Sequence, residues 1–147
     1  LYTAGSSGLE CHSLNNHKLL WKSSGFSATA LTVNPDRILV GTATGEVNIY
    51  STQGVKKASL DAHKGGVFSL QADDLRLVSG GGDKSVKVWD LTQHKMMYTL
   101  LGGSLTERSG SVDHPTRPGC SKLTFDESKI IGSFGNVLKV FNFALDK

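Results

Sequence analysis

The chain has 147 residues, of which 38% are hydrophobic, 20% charged and 7% aromatic, a balance typical of globular domains and unlike that of disordered or collagenous chains. The net charge of +3, from 16 basic and 13 acidic residues, is too small to indicate a phosphate-binding surface, which argues against nucleic acid as a partner. The apolar runs are far shorter than the roughly 20 residues that cross a bilayer. Two distant cysteines, Cys11 and Cys120, indicate a reducing compartment, cytoplasmic or nuclear, rather than a disulfide framework.

A short pattern recurs along the chain. Its clearest copy is 78–89, and sliding this copy back by 39 residues places it on 39–50, with Val-x-Val-Trp over Val-x-Ile-Tyr. Related segments lie at 1–12 and 130–141. The ends of the four copies are 38, 39 and 52 residues apart. Such a period indicates a repeat architecture.

Each copy predicts two strands, because an apolar run and an alternating run flank a turn rich in Gly, Ser and Thr. Three copies are preceded by an opening strand, and three are followed by an outer strand. In chain order these additional strands are predicted at 18–22, 28–33, 55–60, 67–72, 95–101 and 122–125. Four short strands per repeat, without helical periodicity, favour the blade of a β-propeller over leucine-rich, tetratricopeptide or ankyrin repeats.

The best copy also resembles a unit of the WD-repeat family. It opens with Ala62-His63 and closes with Trp89-Asp90, similar to the Gly-His and Trp-Asp ends of that unit, with Ala62 in place of the usual Gly. The resemblance implies a hydrogen-bonded tetrad inside the blade. Its members would be His63, Ser79, Asp83 and Trp89, and a chain of hydrogen bonds through them would satisfy four polar groups that burial would otherwise leave unpaired.

The other copies depart from this pattern. In the copy that ends at Tyr50, the His and Asp positions hold Ser24 and Thr44, and in the last copy the Asp and Trp positions hold Gly135 and Phe141. We therefore expect the full network in one blade only, and apolar packing in the others.

The predicted fold class is all-β, a WD-repeat propeller of about three and a half four-stranded blades. The blade parts are predicted at 1–23, 26–60, 64–101 and 120–143, with an insertion loop at 102–119. Because propellers close with typically four to eight blades, we expect an incomplete ring whose remaining blades come from the same or another chain.

One end of the propeller collects the candidate binding residues, because strands alternate direction and bring the turns between second and third strands to the same end as the links between blades. This end is called the loop face. It comprises Ser6-Ser7, Ser24-Gly25, Thr44-Gly45, His63-Lys64, Lys84-Ser85 and Gly135-Asn136, and the insertion is expected to project from it.

The candidate partner-binding residues are cationic side chains of the loop face and the insertion. The cations of the insertion would favour an acidic or phosphorylated partner, although solvated surface cations are the alternative interpretation. The full set is Lys64, Lys84, Arg108, His114 and Arg117.

No motif in the sequence indicates catalysis, a metal or a cofactor. The run from Gly80 to Ser85 lacks the Gly-Lys pair and the helix of a phosphate-binding loop, and none of the five histidines has a partner at metal-ligand spacing. We expect a non-catalytic scaffold that presents the loop face to a protein or peptide partner. Two alternatives remain: the substrate receptor of a ubiquitin ligase, similar to the F-box WD proteins, and a propeller associated with a ribonucleoprotein.

Overall fold

The computed structural model describes residues 1–101 and 119–143, and every regular element in those residues is a β-strand. The all-β class predicted from the sequence is confirmed. The strands are β1 Tyr2–Gly5, β2 Gly8–His12, β3 Leu19–Ser23, β4 Ala28–Val33, β5 Arg37–Thr42, β6 Glu46–Ser51, β7 Lys56–Asp61, β8 Val67–Ala72, β9 Arg76–Gly81, β10 Ser85–Asp90, β11 Lys95–Leu101, β12 Cys120–Phe125, β13 Lys129–Phe134 and β14 Val137–Asn142.

The strands form four antiparallel sheets in which each strand pairs with its neighbour in the chain. The first sheet is β1-β2-β3, the second β4-β5-β6-β7, the third β8-β9-β10-β11 and the fourth β12-β13-β14. The register of the repeat makes β4, β8 and β12 the opening strands of their sheets and β3, β7 and β11 the outer strands. The result is the partial propeller that the repeat predicts. No helix in the described ranges is long and apolar enough to span a membrane.

Three apolar clusters fill the space between successive sheets. Leu77 of β9 belongs to the cluster between the second and third sheets, whereas the next residue, Val78, belongs to the cluster between the third and fourth. Successive side chains of a strand point to opposite faces, so a central strand is buried on both. This double burial explains apolar runs such as Ile38-Leu39-Val40, in which all three residues are fully buried.

Side chains on the opening strands tie neighbouring sheets together. The Ser69 hydroxyl accepts a hydrogen bond from the backbone N–H of Leu123 at 2.9 Å, and the Gln71 side-chain oxygen accepts one from the backbone N–H of Phe125 at 3.1 Å. Both bonds run from the third sheet to the fourth. These backbone N–H groups of β12 form no hydrogen bond with a strand of their own sheet. The two bonds to Ser69 and Gln71 therefore hold the third and fourth sheets together along their opening strands.

Each opening strand carries a β-bulge near its start, where the pairing with the next strand shifts by one residue. A bulge leaves one residue unpaired and redirects its side chain. The unpaired residues are Thr29, Phe68 and Ser121.

Aspartates shape the turns at the end opposite the loop face. The Asp73 carboxylate accepts hydrogen bonds from the backbone N–H groups of Leu75 and Arg76 at 2.9 and 2.6 Å. Asp126 does the same for Ser128 and Lys129 at 2.7 and 2.8 Å. Asp73 therefore acts as a turn former, as Asp residues commonly do.

Candidate functional site

The structure places His63, Ser79, Asp83 and Trp89 in one continuous hydrogen-bonded chain. The Trp89 indole N–H donates to the Ser79 hydroxyl at 3.0 Å, and that hydroxyl lies 2.8 Å from Nε2 of His63. The other ring nitrogen of His63, Nδ1, lies 2.9 Å from the Asp83 carboxylate. His63, Ser79 and Trp89 are buried. These hydrogen bonds connect the β7–β8 link, β9, the β9–β10 turn and β10.

The imidazole of His63 is neutral at pH 7. Burial lowers the pKa of His63, against the opposing influence of the hydrogen bond and negative charge of Asp83. A neutral ring carries one N–H, and we assign it to Nδ1 because only the Asp83 carboxylate requires a donor there. Nε2 then accepts the Ser79 O–H, while the Ser79 oxygen accepts the Trp89 N–H. Each of the three hydrogen bonds then has one donor and one acceptor.

Ser85, predicted only as part of the loop face, and Lys87, which was not predicted, complete this network. Burial would raise the pKa of Asp83, but hydrogen bonds from Ser85 and His63 hold it below the ordinary value. The Ser85 hydroxyl donates to the Asp83 carboxylate at 2.7 Å. Lys87 donates its Nζ to the carbonyl oxygen of Ala62 and lies 4.0 Å from Asp83. The signal available in the sequence was a Ser two residues after a turn Asp, a common local hydrogen-bonding arrangement.

The links between sheets and the turns within sheets form one surface at the loop face. The Gly45 carbonyl oxygen in the β5–β6 turn accepts hydrogen bonds from the backbone N–H groups of Ala62 and His63, at 3.1 and 2.9 Å. The Gly66 carbonyl oxygen accepts one from Gly82 in the β9–β10 turn at 3.0 Å. The β7–β8 link is therefore held between two turns.

Phe68 is the aromatic side chain of this surface. It is the bulged residue of β8 and is 44% exposed, whereas its neighbour Val67 is fully buried. A Cβ added at Gly66 would lie 3.2 Å from the Phe68 ring, and one at Gly82 would lie 3.4 Å from it. The two glycines thus leave room for the ring to lie over the backbone. The sequence does not predict the exposure of Phe68, because strand alternation does not reveal a bulge.

Lys64 and Lys84, two of the predicted partner-binding cations, flank the tetrad. Lys64 follows His63 and is exposed, and Lys84 follows Asp83 and adopts a positive φ of 62°. The backbone N–H of Lys64 also donates to the Asp83 carboxylate at 3.2 Å. The bond between His63 and Asp83 therefore fixes the backbone from which both lysines project. Arg108, His114 and Arg117 lie outside the described residues.

The second sheet packs through an apolar cluster that includes Tyr50, as expected, and it adds hydrogen bonds that the sequence did not predict. Tyr50 occupies the position of Trp89 there, and the Ser23 hydroxyl lies 3.1 Å from the Tyr50 hydroxyl. At the β5–β6 turn of this sheet, the Thr42 and Thr44 hydroxyl oxygens are 2.9 Å apart. A phenol places its polar group at the end of the ring, so it reaches a different partner from that of an indole.

Trp21, an aromatic residue of an outer strand, packs against the neighbouring sheet rather than standing free. A Cβ added at Gly54, in the β6–β7 turn, would lie 2.6 Å from the Trp21 ring. The centres of the Tyr2 and Trp21 rings are 5.9 Å apart. Trp21 is therefore a packing residue.

The part of the chain that the structure describes holds no cluster of three or more His, Cys, Asp or Glu side chains suited to a metal ion. Within the same residues, no buried side-chain nitrogen or oxygen lacks a hydrogen-bond partner. The polar groups of the site are thus occupied with one another, as in a structural network.

The family profile described as WD domain, G-beta repeat matches residues 54–90, the stretch that contains the complete tetrad. Residues 54–90 therefore form a WD repeat, and the chain is similar to WD-repeat proteins. Relatives include WD repeat-containing protein pop2 of Schizosaccharomyces pombe, 35% identical over 78 residues, which are 52% of this chain and 11% of that protein. The human F-box/WD repeat-containing protein 8 is 32% identical over 80 residues, 53% of this chain and 13% of that protein.

A third relative is U3 small nucleolar RNA-associated protein 15 of Schizosaccharomyces pombe, 39% identical over 85 residues, which are 54% of this chain and 17% of that protein. The matched parts span between about a tenth and a sixth of these relatives' lengths. Among solved structures, the computationally designed Ika4 protein superposes with a TM-score of 0.73 at 21% identity, covering 97% of this chain and 84% of that one. This likeness establishes the fold.

Proposed function

We propose that this WD-repeat chain is a non-catalytic scaffold whose loop face binds a protein or peptide partner. The observation that carries the proposal is Phe68, an exposed aromatic ring that a bulge turns to the surface between two lysine-bearing turns. Aromatic side chains are enriched among the residues that dominate binding energy at interfaces. Relatives in the WD-repeat family support an interaction role rather than a catalytic one.

The chemistry of the loop face favours a partner segment that combines an apolar side chain with a carboxylate or phosphate. The apolar side chain would cover Phe68, and the anion would lie near Lys64 and Lys84. Because the tetrad already fixes the backbone at His63 and Asp83, binding would order only the lysine side chains. The cations Arg108, His114 and Arg117 would extend the same preference if the insertion joins the contact.

Site-specific photocrosslinking tests where the partner binds. A benzophenone amino acid is placed at Phe68 or, as the control, at Leu14, which is 69% exposed in the β2–β3 connection at the opposite end. The chain is expressed in its native cells, and crosslinked proteins are identified by mass spectrometry. The proposal predicts a partner captured from position 68 and absent from position 14. Equal capture at both positions would contradict it.

The affinity of the captured partner then tests the residues themselves. Phe68→Ala is expected to weaken binding at least tenfold, because truncating a central aromatic residue commonly costs more than about 1.4 kcal/mol. Phe68 is exposed, so the variant is expected to keep the stability of the parent. An unchanged affinity in a folded Phe68→Ala variant would refute a role for this residue.

A narrower form of the proposal is the substrate receptor of a ubiquitin ligase. The similarity to F-box/WD repeat-containing protein 8 supports it. The test is whether ubiquitylation of the captured partner decreases in cells that carry Phe68→Ala. Ubiquitylation that persists when binding is lost would exclude this role.

A ribonucleoprotein-associated propeller is the second candidate, supported by the similarity to U3 small nucleolar RNA-associated protein 15. It predicts that the captured assembly contains RNA and falls apart on nuclease treatment. If RNA itself contacts the chain, binding should weaken steeply with salt. Nuclease resistance together with a flat salt response would exclude it.

A further inference from the structure

An apolar groove opens between the third and fourth sheets, at the end of the propeller opposite the loop face. Val78, Val88 and Ile130 form its buried floor, and the ring of Phe125 adjoins them. The groove has a volume of about 200 Å³. This volume is large enough for one large side chain such as Leu, Met or Phe.

The outer wall of the groove consists of large apolar side chains that remain in contact with water. Met97 and Tyr98 of β11 are 48% and 54% exposed, and Phe143 is 43% exposed. The rings of Tyr98 and Phe143 are 6.4 Å apart. The backbone N–H of Phe143 donates to the Ser128 carbonyl oxygen, which fixes this wall to the β12–β13 turn. Exposed apolar side chains concentrated around one cavity are typical of a binding site.

The rim of the groove is acidic. Asp126 and Glu127, both exposed, line it at the β12–β13 turn. Arg76 is the cation that lines it, and its guanidinium is already engaged, 2.8 Å from the Asp73 carboxylate and 5.3 Å from the centre of the Phe125 ring. No lysine or arginine of the described residues forms an ion pair with Glu127. Glu127 therefore places beside an apolar cavity a negative charge that has no ion-pair partner among the described residues, whereas the Asp126 carboxylate also holds the turn through Ser128 and Lys129.

We infer that this groove, bounded by Met97, Tyr98 and Phe143 and bordered by Asp126 and Glu127, binds a protein segment in which a large apolar side chain is followed by lysine or arginine. The apolar side chain enters the cavity, and the basic residues lie against the Glu127 carboxylate, with Asp126 adding negative charge beside it. The site is independent of the loop face, because it lies at the other end of the sheets and shares no residue with it. A scaffold with both sites would hold two partners at once.

The two methionines of the chain, Met96 and Met97, provide a direct probe. With carbon-13 in the methionine methyl groups, the chain gives two signals, which Met96→Leu and Met97→Leu variants assign. The probes are two short capped peptides, Leu-Phe-Lys-Arg-Lys and Leu-Phe-Glu-Asp-Glu. The basic peptide is expected to shift the Met97 signal more than that of Met96, with at least tenfold tighter binding than the acidic peptide.

Variants separate the apolar contact from the charge. Glu127→Lys is expected to weaken binding of the basic peptide about fivefold, the upper range for one exposed charge pair. Tyr98→Ala should weaken the binding of both peptides, because it removes an apolar side chain from the outer wall of the groove. The matched control is Glu46→Lys, an exposed glutamate at the start of β6 on the loop-face side, which should leave the affinity unchanged. Far-UV circular dichroism verifies that each variant is folded.

Four results would overturn the inference. A Met97 signal that no peptide shifts would mean that the groove takes no such segment, and equal binding of both peptides would remove the role of the carboxylates. Binding that appears only in a chain shortened to end at Phe143 would show that residues 144–147 occupy the groove. A Met97 signal that moves with protein concentration alone would identify a second copy as the occupant.

Discussion

Replacing Ser79 by alanine tests the hydrogen-bonded chain at its central link. The Ser79 hydroxyl is fully buried and serves two neighbours, Nε2 of His63 at 2.8 Å and the indole N–H of Trp89 at 3.0 Å. Ser79→Ala leaves both of these groups buried without a partner. Each such group costs about 1–3 kcal/mol, so we expect the free energy of unfolding to fall by about 2–5 kcal/mol.

Urea denaturation, followed by tryptophan fluorescence, measures this loss. The matched control is Ser27→Ala, because the exposed Ser27 hydroxyl forms no hydrogen bond among the described residues. The control should change the free energy of unfolding by less than about 0.5 kcal/mol, with the same dependence on urea. In a Trp89→Phe background, Ser79→Ala should cost less, since the indole donor is already gone. A loss below about 1 kcal/mol in the wild-type background would refute the reasoning.

Three further predictions concern single residues. Because the pKa of His63 is lowered in the folded state, the unfolded chain binds more protons below about pH 6.5. The free energy of unfolding should therefore decrease as the pH falls below that value. In denaturation measured as a function of pH, His63→Gln should make this decrease smaller. Gly81→Ala places a Cβ 2.3 Å from the His63 ring and should lower the free energy of unfolding by about 1–3 kcal/mol in urea denaturation. Gly5→Ala, whose Cβ would have no neighbour within 4 Å, should leave it unchanged. Burial raises the pKa of Cys120 to about 11, so mass spectrometry should detect alkylation of Cys120 at pH 8 only after unfolding.

The sequence predicted the elements well because the repeat constrains them twice, by period and by alternation. The strands predicted at 28–33, 67–72 and 95–101 have those bounds in the structure. The strand predicted at 122–125 begins earlier, at Cys120, because its first pairs with β13 lie before a bulge. Periodicity predicts where strands lie, but it does not report a local shift of register.

The repeat also predicted part of the candidate site. A resemblance in sequence supplied His63, Ser79, Asp83 and Trp89 because each occupies a fixed position in the repeat. Phe68 required knowledge of the bulge, which depends on how β8 pairs with β9. The groove between the third and fourth sheets required the packing of segments far apart in the chain, such as Tyr98 and Phe143, and sequence spacing does not encode their separation.

The most direct test of the central claim is calorimetric titration of the partner captured at the loop face. The double variant Lys64→Glu and Lys84→Glu reverses both charges on the backbone that the tetrad fixes. Its matched control is Lys56→Glu and Lys57→Glu, two exposed lysines on the outer strand β7. A loop face that binds an anionic segment predicts at least tenfold weaker binding for the first variant and no change for the second. Equal affinities for the two variants would contradict the account.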